Sequence, residues 1–574
     1  MSHPRLWSVV LWSCVAAAGA CAPGAVDAEV DLGQQPVSEG PDGAERETAM
    51  MGGGAGAGHG WPLSGFDLAA TGHNRFEHRL SPSTIHGLAV EWVFDAADAG
   101  MPVRPIHATP VVDRTGNAYV GDFGGTFFSI SPAGTLRWSF TADPPTLEVA
   151  ALLPPEIGPV TASPFIGGAA LATRRPYVVV GDANGRIYAR HRATGAEVWT
   201  ARGLNPNPLG GVAGNSITIV GDTVLVGMGS LENYALVLTS GGLRVDCCTH
   251  RGAVVALDLD TGAERWRHHT VETAQALPES AAPFLFGPSG ADIWSQPTYD
   301  GATKTVYIST GQNLSPDAAG HSTPTSDAIM ALDFRTGARK WVHQFTENDI
   351  WAVGVENPNP VTGKPVDMDL GDAPKIYRLA SGRKVVGAGQ KDGRYHVLDA
   401  HTGALVRTTE VIPPRNDLGG FQTGGAFADG VVFQHGLRAT GGFSDCNEGT
   451  CPYEGFLGTV VALSADGGHV KWSLDRPVSP LVGGLAVANG LVYLQSPVEE
   501  PTPLTSPPEW ALLAVDAKTG AVRKRIAFPG RAIGSPVVAD GHVYVTDGNV
   551  ALGAYGLFPA GALIRLGLSD DCAD

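Results

Sequence analysis

The chain predicts an all-β fold, an eight-bladed β-propeller of four-stranded blades, and three observations carry that reading. First, a short phrase recurs: a hydrophobic run, an Asp or its stand-in, then Thr-Gly, a few residues and usually Trp. Its clearest copies are 256–266, around Asp258-Leu259-Asp260-Thr261-Gly262, and 331–341, around Asp333-Phe334-Arg335-Thr336-Gly337. Weaker copies centre on Trp138, Trp199 and Trp472, and two without Trp run from Asp399 to Arg407 and from Asp516 to Arg525. A leading half-copy ends at Trp92. The spacing, roughly 45–75 residues, is that of an array of small units that cannot bury their apolar faces alone. Second, the copies alternate with strand-like runs such as Tyr177-Val178-Val179-Val180, Thr305-Val306-Tyr307-Ile308 and His542-Val543-Tyr544-Val545. Third, sustained helical periodicity is hard to find beyond the first residues.

Each part of the phrase has a physical task. Thr-Gly supplies the positive-φ position of a tight hairpin turn. Four-stranded units repeated eight times close into a ring that protects their edges. Trp at a fixed place in each unit is expected as a wedge between neighbouring blades. The 76 Gly and 42 Pro provide abundant turns. A net charge of −18 disfavours nucleic acid and anionic membrane as partners.

Residues 1–20 read as an export signal: Arg5, an apolar run from Leu6 to Ala18, and small residues Ala18-Gly19-Ala20. The run is too short for a permanent membrane anchor. Cys21 then stands where a bacterial lipoprotein carries its acylated Cys, and two outcomes are open: an outer-membrane-anchored lipoprotein or simple periplasmic secretion. Residues 22–60 are expected as a flexible linker and 61–574 as the propeller. Export permits disulfides. Cys446 and Cys451 are expected to staple a short polar loop, and Cys572 is left odd.

Cys247-Cys248 is the sharpest local signal. Across a trans peptide adjacent Cα atoms lie about 3.8 Å apart, below the usual disulfide range of about 4.4–6.8 Å. A bond between the two therefore marks a functional constraint; two free thiols, or pairing elsewhere, are the alternatives.

The segment from Cys247 through Thr249, His250, Arg251 and Gly252 runs straight into the strongest repeat copy. With Trp61-Pro62-Leu63-Ser64-Gly65-Phe66-Asp67 and motifs at five places around the ring, it resembles the polyvinyl-alcohol-dehydrogenase-like branch of the quinoprotein alcohol dehydrogenases. The resemblance covers residues 61 to about 560 and implies pyrroloquinoline quinone (PQQ) and Ca²⁺, or a lanthanide, on the propeller axis. It implies Trp294 as a stacking face for the cofactor, the Cys247–Cys248 pair as the opposite face, and Arg251 and Lys391 as cations around its rim. Hard oxygen ligands are needed for the cation, and the resemblance implies Glu232 and an amide, Asn313 or, shifted by one, neighbouring Gln312. It makes Asp367, in Asp367-Met368-Asp369-Leu370-Gly371-Asp372-Ala373-Pro374, the base that takes the alcohol proton and a metal-side carboxylate, with Asp369 a second one. The sequence departs from the family pattern upstream: Ala352 follows Trp351, so either the intervening loop is an insertion, or Asp349 is the base, or the base is lost.

The implied reaction is oxidation of a secondary or polymeric alcohol by hydride transfer to the quinone. No Cys-x-x-Cys-His is present, so electrons are expected to pass to a separate acceptor such as a cytochrome c. No dinucleotide-binding glycine signature is present either. The competing expectation is a non-catalytic, lipid-tethered propeller serving as a binding or assembly scaffold, since one fold hosts unrelated functions. A scaffold has no reason to keep the axial polar set.

Overall fold

The computed structural model describes residues 59–106, 108–143, 166–205, 210–211, 216–230, 232, 247–281, 284–352, 367–412, 419–438, 457–477, 483–497, 510–528, 534–548 and 561–569. The expected export signal, Cys21, the linker as far as residue 58, Cys446, Cys451 and Cys572 lie outside them.

Eight antiparallel sheets follow one another along the chain: 111–141, 166–201, 217–269, 298–344, 375–410, 426–477, 486–528 and 537–568. We number these blades 1 to 8. The last contributes only three strands of its own. Its fourth is Leu88–Asp95, which pairs with Ala562–Leu568 from Leu88 opposite Leu568 to Asp95 opposite Ala562. This closes the ring and explains the leading half-copy at Trp92. Between blades the core is aliphatic: Leu225, Val254 and Ala256 of blade 3 pack on Val306, Ile308, Met330 and Leu332 of blade 4.

The recurring phrase is the joint between blades. Its Asp holds the turn: Asp258 Oδ1 accepts from the backbone of Asp260 and Thr261 and from the Thr261 hydroxyl at 2.9–3.0 Å, and Asp333 and Asp399 do the same. The glycine that follows has φ near +70° (Gly262 +72°, Gly337 +70°), and the preceding blade's Trp lies flat against it. A Cβ on Gly262 would sit 2.6 Å from the Trp199 ring, and one on Gly337 2.5 Å from that of Trp266. Each indole then donates to a carbonyl of the turn, Trp199 to Leu259 at 2.8 Å and Trp266 to Phe334 at 2.9 Å. Trp92, Trp138, Trp341 and Trp472 repeat the arrangement on Gly134, Gly195, Gly403 and Gly520. Where the phrase has lost its Trp, at Arg407, an Arg407–Asp466 pair at 3.8 Å lies at the joint instead.

Residues 61–74 bond to blade after blade. Trp61 exchanges backbone hydrogen bonds with Val112 of blade 1, and Pro62 accepts from Leu171 of blade 2. Leu68 then accepts from Tyr299 of blade 4, Ala69 from Ile376 of blade 5, Thr71 from Phe427 of blade 6 and Gly72 from Val487 of blade 7. Asn74 Nδ2 reaches the Val538 carbonyl of blade 8 at 2.8 Å. A segment that bonds the inner strand of blade after blade crosses the central channel, so it is a plug.

The two roles of the turn glycine separate experimentally. Gly203 also has positive φ (+68°), but nothing lies within 4 Å of a Cβ there. Gly203→Ala is expected to cost about 1 kcal/mol of left-handed strain, whereas Gly262→Ala adds overpacking and costs roughly 2–4 kcal/mol. Equal losses in chemical denaturation would remove the wedge as the source of the joint's stability.

Candidate active site

In an antiparallel four-stranded blade the starts of strands one and three and the ends of strands two and four lie on the same edge. Trp294 precedes the first strand of blade 4, Gln312 and Asn313 follow its second, Asp327 precedes its third and Asp349 follows its fourth. Asp367 and Asp369 lead into the first strand of blade 5, and Lys391 lies in the turn between its second and third. On blade 3, Glu232 follows strand two and the 247–251 segment precedes strand three. Topology alone therefore delivers all these residues to one mouth of the ring.

At that mouth Lys391 Nζ donates to Asp367 Oδ1 at 2.7 Å and to Asp369 Oδ2, and lies 5.6 Å from the centre of the Trp294 ring. The half-buried indole rests on glycine: a Cβ on Gly371 would come within 2.4 Å of Trp294 Cη2. Behind the ion pair sit Asp327 and Asp349, both fully buried. Asp349 Oδ2 accepts from the Met368 amide at 2.6 Å. Its Oδ1, and both carboxylate oxygens of Asp327, have no hydrogen-bond partner among the described residues. Burial holds Asp367, Asp349 and Asp327 well above the usual carboxylate range. Asp367 adds to the effect on Asp349, and Asp349 to that on Asp327. Burial also pushes the Lys391 ammonium down, but Asp367 and Asp369 outweigh it and hold its pKa above the ordinary value.

Four buried carboxylates around one ammonium carry excess negative charge, which in a low-dielectric interior demands protons or a cation. Gln312 lies against this cluster. Its backbone amide donates to Asp369 Oδ1 at 2.7 Å. With Nε2 on the Trp351 carbonyl at 3.3 Å, its amide oxygen faces the Asp369 carboxylate; rotated by half a turn, the amide donates to Asp369 instead. Oxygen inward suits a bound cation and nitrogen inward its absence.

Two expected cation ligands are otherwise engaged. Asn313 is fully buried, with Nδ2 on the Ser289 carbonyl at 2.8 Å and Oδ1 accepting from both the amide and the hydroxyl of Thr323. Of the two neighbouring amides, Gln312 is the one that lies against Asp369. Glu232 accepts from the amides of Thr249 and His250 and from the Thr249 hydroxyl at 2.8–3.2 Å. Its carboxylate grips the segment carrying the cysteine pair.

Cys247 and Cys248 are bonded to each other and buried. The peptide between them is cis, not the trans form assumed from the sequence. His250 Nε2 lies 3.0 Å from Asp292 Oδ1, and the other Asp292 oxygen accepts from Ser230. The disulfide segment is thus tied to the loop that carries Trp294. Arg251 lies in the same segment. Its Nε donates to the Val271 carbonyl at 3.0 Å, and it lines a separate cavity of about 620 Å³ with Asn205, Thr249, Arg267 and His269. Arg267 and His269 place this cavity against the outer strand of blade 3. Asp372, one of the loop's clustered carboxylates, is structural: it pairs with buried Lys375 and accepts from Gly389, Gly425 and Gln434. Asp327 escaped sequence reasoning because no motif marks it.

The donors and surfaces fit a planar, anionic quinone with its cation: a half-buried indole on a glycine floor, a held ammonium beside it, and orphaned buried carboxylate oxygens. Comparisons with known proteins agree. Residues 61–422 match the PQQ family of the glucose/ethanol/alcohol dehydrogenase β-propeller domain, and 457–556 match the outer membrane protein assembly factor BamB. A polyvinylalcohol dehydrogenase of Sphingopyxis sp. (strain 113P3) is 34% identical over 197 residues, 33% of this chain and 29% of that protein. One from Pseudomonas sp is 31% identical over 245 residues, 41% of this chain and 35% of that protein. The chain thus aligns with well under half the length of these relatives. The crystal structure of quinohemoprotein alcohol dehydrogenase from Comamonas testosteroni has the same fold, with a TM-score of 0.62 at 20% identity, over 89% of this chain and 80% of that one. Matched by the dehydrogenase propeller model over more than half its length, and with the axial cluster in place, the chain belongs to the PQQ family of glucose/ethanol/alcohol dehydrogenase β-propellers.

Proposed function

We propose that the protein oxidises an alcohol, secondary or polymeric, with PQQ and Ca²⁺ or a lanthanide, and passes the electrons to a separate acceptor such as a cytochrome c. The observation that carries this reading is the Lys391 ammonium held between Asp367 and Asp369 beside the Trp294 ring. Bound there, PQQ supplies the acceptor for hydride from the alcohol carbon, and the cation polarises the quinone carbonyl. Trp294 provides the flat face. Asp369, Asp367 and the Gln312 amide oxygen hold the cation. Asp367 takes the hydroxyl proton, and Lys391 keeps it aimed. Asp349 is bound to the Met368 amide, which favours Asp367 over Asp349 as the base.

A second reading, a tethered scaffold without cofactor, is favoured by the assembly-factor match over 457–556. That stretch runs from the third strand of blade 6 into blade 8, whereas the acidic cluster belongs to blades 4 and 5. We also propose export on the strength of the signal-like N-terminus and Cys21; Cys21→Ser is expected to abolish incorporation of labelled palmitate.

With added PQQ and Ca²⁺, dye reduction by secondary alcohols is expected, and Asp367→Asn lowers kcat roughly 10²–10⁴-fold while PQQ still quenches tryptophan fluorescence. Trp294→Ala is expected to weaken PQQ binding itself. Chelation followed by re-addition of Ca²⁺ or a lanthanide removes and restores activity, and the better restorer identifies the ion. No PQQ binding at high micromolar concentration with either cation decides for the scaffold.

A further inference from the structure

We propose that Gln390 and His396 are positioning residues that fix the aim of the Asp367–Asp369 pair. The two carboxylates flank Met368, so the orientation of that residue's two peptide groups decides where they point. The N–H of Met368 is taken by Asp349 Oδ2 at 2.6 Å, and its carbonyl accepts from Gln390 Nε2 at 2.6 Å. One residue on, the Asp369 carbonyl accepts from the Lys391 amide at 3.0 Å. The loop is therefore docked onto the turn that carries Lys391.

One carbonyl determines the direction of a longer chain of bonds. Because Met368 O only accepts, the Gln390 nitrogen must face it; the same nitrogen also reaches the Thr346 hydroxyl at 2.9 Å. Gln390 Oε1 then faces His396 Nε2 at 2.9 Å, and an oxygen there requires the proton on Nε2. Nδ1 is left to accept from the Thr408 hydroxyl at 2.9 Å, on the exposed outer strand of blade 5. Gln390 and His396 are buried, and the imidazole stacks on Phe345 with centroids 3.9 Å apart. Burial pushes the His396 pKa down to about 3, so the ring stays neutral and its tautomer fixed. A buried polar line from the blade surface to one peptide group of the site has no role in closing the ring, whose joints are made elsewhere. Its role is to hold that peptide.

The kinetic arm of the test rests on the alcohol-oxidation reading, and the exchange arm does not. In the full-length protein, Gln390→Met is expected to raise amide hydrogen exchange across 367–370 by at least about ten-fold without cofactor. With PQQ and Ca²⁺ it lowers kcat roughly 10–100-fold and leaves the alcohol KM within about two-fold, the signature of lost orientation. His396→Phe keeps the stack on Phe345 but removes the N–H, and gives the same pattern more weakly. His396→Gln, which again offers a donor, restores both readings. The double variant Gln390→Met/His396→Phe is no worse than Gln390→Met alone, since both act through one carbonyl. Wild-type exchange and kcat in Gln390→Met, a rise in KM alone, or His396→Gln as impaired as His396→Phe would each overturn the proposal. If Gln390→Met fails to fold, the His396 pair decides. If the wild-type protein oxidises no alcohol, the functional reading falls and the exchange data alone judge the positioning claim.

Discussion

The structure depends on one repeated contact, an indole of one blade laid on the turn glycine of the next. It sets the spacing between neighbouring sheets at six of the joints, and those spacings help decide whether the inner strands meet around an axis. A tryptophan offers about 150–250 Å² of surface, and half-burying it at roughly 25 cal/mol/Å² is worth about 2–3 kcal/mol. A few such joints match the whole net stability of an ordinary domain. The contact is specific as well as strong, because no residue with a Cβ fits beneath the ring and the Asp-held turn also demands positive φ.

Once the ring exists, the site is an electrostatic problem. Lys391 neutralises one charge among Asp327, Asp349, Asp367 and Asp369, and a single ion pair in a dry interior does little more than offset the desolvation of its own partners. The remaining negative charge explains why burial holds three of the carboxyls far above their ordinary range. A bound cation or protons would each relieve this charge. Glu232 and Asn313 lie outside this cluster of charges, and their oxygens receive N–H and O–H donors that tie the first to Thr249 and His250 and the second to Thr323.

The fold was legible in the sequence because its determinants are local. Asp258, Thr261, Gly262 and Trp266 act within a single hairpin and its immediate neighbour, so their chemistry survives as a phrase that can be read. The site was legible in part. Trp294, Lys391, Asp367 and Asp369 stand at strand ends that topology must bring to one mouth, and they meet there. Arg251 and Asn313 stand at equally suitable strand ends, yet their aim is set by partners remote in sequence: Val271 for Arg251, and Ser289 and Thr323 for Asn313. Asp327 and the Gln390–His396 line were invisible for the converse reason. Their significance lies in what each faces across the fold, or fails to face, and no spacing records that.

The plug joins the two levels. Gln296, two residues beyond Trp294, accepts from Gly65 and Ser64 through its amide oxygen and donates to the Asp67 carbonyl through its nitrogen. The loop that presents the stacking face is thereby fixed to a segment more than two hundred residues earlier in the chain, and that segment is itself held by the inner strands of blades on all sides. The indole cannot take its orientation until the plug is seated. The plug cannot complete its bonds until blade 8, which needs Leu88–Asp95 as its last strand, has closed beside Asn74. The site is therefore a property of the finished ring, and a fragment lacking either end of the propeller would keep its motifs and lose the surface on which they act.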